Sequence, residues 1–535
     1  MKRSATKPLI LLFVVLIAAF LSFSFWNLPF ISRGNSFDSE NVVEDIRVMS
    51  SERHSVAHPE ARAKLRDYLV TRLEQLGADV SIYHEDSLEA RGYEFDIDNI
   101  VADFPVEGSS STLLMVAHYD SRYPWVPIRD TTCSYGAADD GYGVAVILET
   151  LTNVLKSQAD WKQSLRVFFT DAEEVGMVGM KTLYAQNKEL FEDVGLMINL
   201  EARGPFGPAL LFETSPEGSK LVDFYSKHAK SHHTYSLTNV VYGFLPNFTD
   251  FTIVKDDIPG MNFSTIADIN HYHTTLDNFE NVNPASIDHY GVQVLPVVTE
   301  YLTGEEYSDK NYFRGGEDDV FFTIPMLGLF KFSKLTFIIV NVVLVLLMVL
   351  MLVLSRCKFG KAFKYAGITL ALAIGALAFG LLLTWLGCLI SGAAMKPFGV
   401  ITGMMFDNAL MIAGSLVLVV AMWFFNKKYS SQEVFFGALL AVAILSLALL
   451  FAIGESMLFM IVFAFCVIAY FLYQLTDWKV FLLAGIALSC LHVFSFLYSL
   501  AMALTVGAFG AVLFIAVFDL MMIVPMCREY LHNRK

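Results

Sequence analysis

The chain is 535 residues long and 55% hydrophobic, with a mean hydropathy of +0.50, which excludes a wholly water-soluble protein. Residues 335–535 hold 11 Lys+Arg and 6 Asp+Glu, so the totals of 38 and 53 leave 27 and 47 for residues 1–334, a formal net charge of −20. That acidity argues against nucleic acid as a partner, and the lone front-half cysteine, Cys133, excludes an internal disulfide there and a zinc site of the C-x-x-C type.

Lys2, Arg3 and Lys7 precede an almost unbroken apolar run from Pro8 to Trp26. The run is long for a cleaved signal peptide, and no small-x-small site closes it cleanly. Residues 8–26 therefore read as a transmembrane anchor behind a cytoplasmic tail of residues 1–7. Residues 36–304 read as one α/β domain. Leu65, Leu69, Leu73 and Leu76 form a helical stripe that ends at Gly77. Strands are expected at 80–83, 112–117, 165–170, 195–200 and 209–213, and helices at 140–155 and 179–190. Asn283 caps a last helix with Pro284 in its first position. Strands alternating with helices predict a mixed, mostly parallel sheet sandwiched by helices. In such sheets chemistry gathers at the carboxyl ends of the strands.

Residues 305–334 read as a linker whose later part, Val320 to Phe332, lies along the membrane surface or packs under the domain. Seven apolar spans follow within 335–527, centred on 335–355, 366–390, 408–425, 434–453, 457–475, 480–499 and 503–525, each long enough to cross a bilayer. With the front domain outside, 13 basic residues fall on cytoplasmic segments: Lys2, Arg3, Lys7, Arg356, Lys358, Lys361, Lys364, Lys427, Lys428, Lys479, Arg528, Arg534 and Lys535. Only Arg33, Lys331, Lys334 and Lys396 lie close to a span on the other side. The bias predicts an extracytoplasmic front domain and a cytoplasmic tail at 528–535.

The expected strands run into potential ligands. Leu113–Ala117 leads to His118-Tyr119-Asp120-Ser121, and Ala137-Ala138-Asp139-Asp140-Gly141 opens the next helix. Val167-Phe168-Phe169-Thr170 runs into Asp171-Ala172-Glu173-Glu174, and Met197–Leu200 runs into Glu201. His271-Tyr272-His273 stands later, followed by Asp277. Carboxylates crowded at the rim of a core repel one another unless a cation or proton compensates. Taken alone, the Asp171–Glu174 stretch fits a solvated acidic turn as well as a metal site. Imidazoles and carboxylates at several strand ends form a donor set suited to zinc.

As an ordered set these motifs, over Arg53 to Leu302, resemble the zinc-dependent aminopeptidases, a family that includes glutamate carboxypeptidase-like and glutaminyl-cyclase-like branches. The resemblance implies a zinc exopeptidase fold, with His118, Asp139, Glu174, Glu201 and His273 as ligands of two Zn2+ ions. Asp139 would bridge them, His118 and Glu201 completing one set and Glu174 and His273 the other. It implies Glu173 as general base and a cis peptide after the bridging aspartate, at Asp139–Asp140. The Tyr-His-Thr setting favours His273 over His271. Asp120 and Asp277 are candidate acceptors that fix the rings of His118 and His273, against plain turn and capping roles. Glu201 stands where many soluble members carry aspartate, which keeps open one zinc and aminoacyl transfer or cyclisation, as in the cyclase-like branch. The single anchor, peptidase domain and multi-span region together are similar to the endoplasmic-reticulum metallopeptidase and vacuolar membrane protease group. The implied partners are a peptide or protein substrate and a lipid bilayer: the cell membrane in a bacterium, the vacuolar or endoplasmic-reticulum membrane in a eukaryote. A non-catalytic peptide-binding domain is the third reading, disfavoured because no ligand is missing.

Other residues carry weaker signals. His228, His232 and His233 read as a solvated helix end, and Cys133 as a spectator. Asn247 and Asn262 open glycosylation triplets. Asp250 either shapes the pocket or is a loop residue. Asp519, an acid inside the last span, is a functional candidate or a structural acid, and His492 is not paired with it. Asp171 has no assigned role.

Overall fold

The computed structural model describes residues 6–26, 36–124, 133–157, 159–244, 247–355, 357–395 and 403–532. Lys2, Arg3, Arg33, Arg356, Lys396, Arg534 and Lys535, which entered the charge count, lie outside the described residues. The chain divides into two compact units, one of Phe25–Thr323 with Gly328–Ser333, the other of Met1–Ser24, Ile324–Leu327 and Lys334–Lys535.

The first unit is built on a seven-stranded sheet of order β1-β2-β4-β3-β5-β7-β6. The strands are β1 (Asp79–Ala90), β2 (Tyr93–Phe104), β3 (Thr112–His118), β4 (Ser164–Thr170), β5 (Val194–Ala202), β6 (Leu210–Thr214) and β7 (Gly260–Thr265). The central strands β4, β3, β5 and β7 are parallel, and β1, β2 and β6 add antiparallel edges. Two strands are new relative to the sequence reading. In β2, buried Phe95 and Ile97 alternate with acidic residues before the strand becomes continuously apolar at Ile100–Ala102. In β7, buried Asn262 and Ser264 interrupt the apolar signal.

Residues of β3 face alternately outward. Leu113, Met115 and Ala117 join a core with the helices Pro59–Gln75, Gly141–Lys156 and Pro284–Thr303, while Leu114 and Val116 join a second core with Val178–Gln186 and Asp250–Val254. Both faces are thus covered, as a parallel sheet requires. Asn283 caps the last helix through Ala285 N–H, with Pro284 at its start, as expected. The helix expected over 179–190 ends at Gln186 and gives way to a 3-10 turn at Lys188–Leu190. Where a linker is expected, β8 (Asp319–Ile324) and β9 (Gly328–Ser333) form a two-stranded hairpin.

Two surface assignments are corrected. His233 is fully buried, its imidazole held neutral by burial at a pKa of about 4, so the 228–233 stretch is not a solvated helix end. Asn262 is buried in β7, where its amide donates to Glu213 Oε2 at 3.2 Å and Thr249 Oγ1 at 2.9 Å, so its triplet offers no surface acceptor.

Among its described residues the second unit contains seven helices long and apolar enough to span a membrane: Lys334–Leu354, Phe359–Ser391, Met404–Lys427, Ser431–Ile453, Met457–Thr476, Val480–Leu504 and Phe509–Leu531. The last is the most enclosed. A Cβ at Gly380 would stand 2.5 Å from Gly510 Cα, so glycine is needed where those two helices meet. The shorter apolar helix Thr6–Ser22 packs on Val480–Leu504, with Ser22 Oγ 3.1 Å from Ser495 Oγ. Asp519 is buried within this unit.

Candidate active site

The site forms at the carboxyl ends of β3, β4 and β5. At the end of β3, His118 is almost wholly buried and its Nδ1–H donates to the Asp120 carbonyl at 2.9 Å, leaving Nε2 directed inward. After β4 the chain turns at Ala172 in the left-handed region (φ 56°), which points adjacent side chains apart. Glu174 becomes buried while Glu173 stays half-buried. Glu201 is the penultimate residue of β5, with Oε1 accepting from Asn199 Nδ2 at 3.2 Å. Asp139 and Asp140 precede helix Gly141–Lys156, and the peptide between them is cis.

These side chains gather in two trios, His118–Asp140–Glu201 and Asp139–Glu174–His273, each offering donor atoms within 4.8 Å of one another. Asp139 joins them, its Oδ1 3.3 Å from His118 Nε2 and its Oδ2 3.3 Å from His273 Nε2. His273 Nε2 also lies 3.2 Å from Glu174 Oε2. His271 turns away and bonds the Asp268 carbonyl at 3.1 Å, so His273 is the imidazole of the site. Zinc fits this donor set of nitrogen and carboxylate oxygen. Asp139 Oδ2, Asp140 Oδ2 and Glu174 Oε1 are buried without a hydrogen-bond partner, which a cation would supply.

Supporting residues differ in part from expectation. The Asp120 carboxylate accepts the backbone N–H of Glu173 at 2.8 Å and of Glu174 at 3.3 Å, so it shapes the glutamate turn, while its carbonyl orients His118. Asp277 accepts Ala138 N–H at 2.7 Å and Asp139 N–H at 3.4 Å; it fixes the Asp139 backbone in place of the His273 ring. Asp171 lies beneath the site, accepting Asp98 N–H at 3.0 Å and standing 3.4 Å from Arg62 Nη1. Asp250 is buried and accepts from Thr170 Oγ1, which makes it part of the packed floor.

Three residues were not expected. Asp140 joins a trio. Arg122 donates to Glu174 Oε2 at 2.8 Å and to the Glu174 carbonyl at 3.1 Å, with its guanidinium stacked 4.5 Å from the Tyr123 ring centre. Burial alone would raise the Glu174 pKa, but His273 and Arg122 hold the carboxyl well below the usual range. Burial, with Glu213, Glu201 and Glu173 as neighbouring negative charges, pushes the Tyr242 phenol well above its ordinary pKa and keeps it neutral. Burial, with Glu201 and Asp250 nearby, pushes the Glu173 carboxyl well above its ordinary value, against the pull of His118.

An open, centrally parallel sheet thus carries, near its strand ends, two imidazole–carboxylate trios that could each hold a metal ion. Residues 99–298 match the family described as Peptidase family M28. The chain is 29% identical over 265 residues to endoplasmic reticulum metallopeptidase 1 of Mus musculus, a match covering 49% of this chain and 28% of the relative. It is 25% identical over 369 residues to the vacuolar membrane protease of Kluyveromyces lactis, covering 63% of this chain and 38% of the relative. The chain thus spans well under half the length of these relatives. Among solved structures, Porphyromonas gingivalis glutaminyl cyclase aligns at a TM-score of 0.40 and 18% identity, over 50% of this chain and 99% of that one.

Proposed function

We propose that this chain is a membrane-anchored zinc metallopeptidase that removes residues from the amino ends of peptides outside the cytoplasm. The carrying observation is Asp139, whose two oxygens each face a different imidazole at 3.3 Å. That arrangement suits a carboxylate bridging two Zn2+ ions, one with His118 and Glu201, the other with Glu174 and His273. When bound, the ions lower the pKa of a water and polarise the scissile carbonyl.

Glu173, half-buried beside Glu174, takes a proton from that water and returns it to the leaving amine. Its raised affinity for protons suits this two-way role. Tyr242 supplies a neutral donor for the oxyanion. Glu173 and Glu201, the half-buried carboxylates at the rim, offer partners to a free substrate ammonium. The charge bias of the flanking segments supports the anchor at 8–26, seven spans within 335–527 and an extracytoplasmic peptidase domain.

Glu173→Gln is the test. Zinc content stays at the wild-type level and peptide hydrolysis falls by about 10²–10⁴-fold. Full activity in that variant contradicts the assignment. Two zinc ions per chain is the stoichiometry required; one zinc with aminoacyl transfer in place of hydrolysis would replace this reading.

A further inference from the structure

At one end of the second unit, helices Phe359–Ser391 and Ser431–Ile453 begin while Met404–Lys427 and Phe509–Leu531 end. Tyr429, in the turn before Ser431, ties them together. Its ring centre lies 5.6 Å from that of Tyr365 and 4.9 Å from that of Phe425, and its carbonyl accepts from Arg528 Nη1 at 3.0 Å. Cations converge on this junction: Lys358, Lys361 and Lys364 at the start of Phe359–Ser391, Lys427 and Lys428 just before Tyr429, and Arg528. Lys361 pairs with Glu433. The other four lysines are exposed, and among the described residues none of them forms an ion pair. Basic residues scattered over separate loops would only orient a chain in a membrane. Gathered around one aromatic contact, they also set up a local positive field.

The same residues border apolar surface. Phe359, Phe363 and Phe424 are exposed, and Lys427 Nζ lies 5.7 Å from the centre of the Phe424 ring. Lys364 Nζ stands 6.0 Å from the centre of the Tyr365 ring. A lysine at the end of an apolar helix lays its stem on apolar surface and keeps its ammonium at the level of lipid headgroups. A ligand that matches this junction carries a negative head and an apolar tail. We infer that the junction binds the phosphate headgroup of an anionic phospholipid, with the acyl chains against the exposed phenylalanines. This rests on the membrane-spanning reading of the second unit and is independent of the peptidase chemistry. Lysine ammoniums meet phosphate oxygens as point charges. A zwitterionic headgroup brings its own ammonium and gains little from them, so the site discriminates by headgroup charge.

The test uses the full-length protein in detergent micelles, with phosphatidylglycerol and phosphatidylcholine of identical acyl chains as probes and bound lipid counted by native mass spectrometry. Wild type binds phosphatidylglycerol at least tenfold more tightly than phosphatidylcholine. One basic residue at a membrane surface is worth about a fivefold change in affinity, so a triple variant, Lys364→Gln with Lys427→Gln and Lys428→Gln, weakens phosphatidylglycerol binding by about 10²-fold. Its phosphatidylcholine binding stays within twofold. Glycerol phosphate in excess leaves the bound lipid in place, because it lacks the chains. A second measurement needs no variant: phosphatidylglycerol raises the thermal unfolding midpoint of wild type and phosphatidylcholine does not. Equal affinities for the two lipids, undiminished phosphatidylglycerol binding in the triple variant, or displacement by glycerol phosphate overturns the inference. Protein that alkaline carbonate strips from lipid vesicles overturns the membrane-spanning reading itself, whereas integrated protein with no headgroup preference overturns only the lipid site.

Discussion

The two trios use the same residue types in unlike surroundings. The one around His118 has a fully buried imidazole and no guanidinium on any of its carboxylates among the described residues, and sits on strand ends and a helix cap. The one around His273 borders the open rim, and Arg122 is bonded to its Glu174. The cis-linked aspartates divide between them, Asp139 facing both imidazoles and Asp140 standing in the His118 trio.

Breaking the shared residue has the largest expected effect. Asp139→Ala lowers zinc content below one ion per chain by atomic emission and reduces hydrolysis at least 10⁴-fold, on the order of losing both the activated water and the oriented carbonyl. Tyr242→Phe comes next and leaves both trios intact. It lowers kcat by about 10²-fold, the scale of one lost oxyanion donor, with zinc content unchanged.

Arg122→Met sharpens the comparison, because it touches one trio only. Removing a partner that orients a ligand weakens metal binding about 10–100-fold. Chelator competition reads that loss, and the His118 trio, which Arg122 does not touch, keeps its affinity.

The smallest effect separates the scaffold from the site. His233 and His289 are buried, and burial lowers their pKa values to about 4 and about 3. In the unfolded chain they titrate near 6.5, so between pH 6.5 and 4 the unfolded state binds more protons and stability falls as pH falls. Thermal unfolding should shift downward across that window by on the order of 1.4 kcal/mol per pH unit for each imidazole. His289→Gln reduces the slope; Asp139→Ala leaves it unchanged.

Much of this was readable from residue order. Continuous apolar runs marked the buried strands β3, β4 and β5, and each runs out at a proposed ligand or base: His118, the Glu173–Glu174 pair and Glu201. The strand β2 escaped because its first half alternates with Glu94, Asp96 and Asp98, and β7 because Asn262 and Ser264 are buried with polar partners that lie far away in the chain. Asp140 read as the first residue of the helix over 140–155 and is its cap; that it also stands near His118 and Glu201 shows only in three dimensions. Arg122 follows β3 by four residues, and nothing local in the sequence links it to Glu174, 52 positions on. Asp277 pointed to His273 by proximity in sequence, whereas three-dimensional packing gives it the backbone of residues 138 and 139.

The central claim is zinc-dependent removal of amino-terminal residues. The most direct test incubates the full-length protein with one peptide in two forms, a free and an acetylated amino terminus, before and after chelation. The account predicts stepwise loss of amino-terminal residues from the free form only, abolished by the chelator and restored by zinc. Equal cleavage of the acetylated peptide, or cleavage that survives complete removal of zinc, would contradict it.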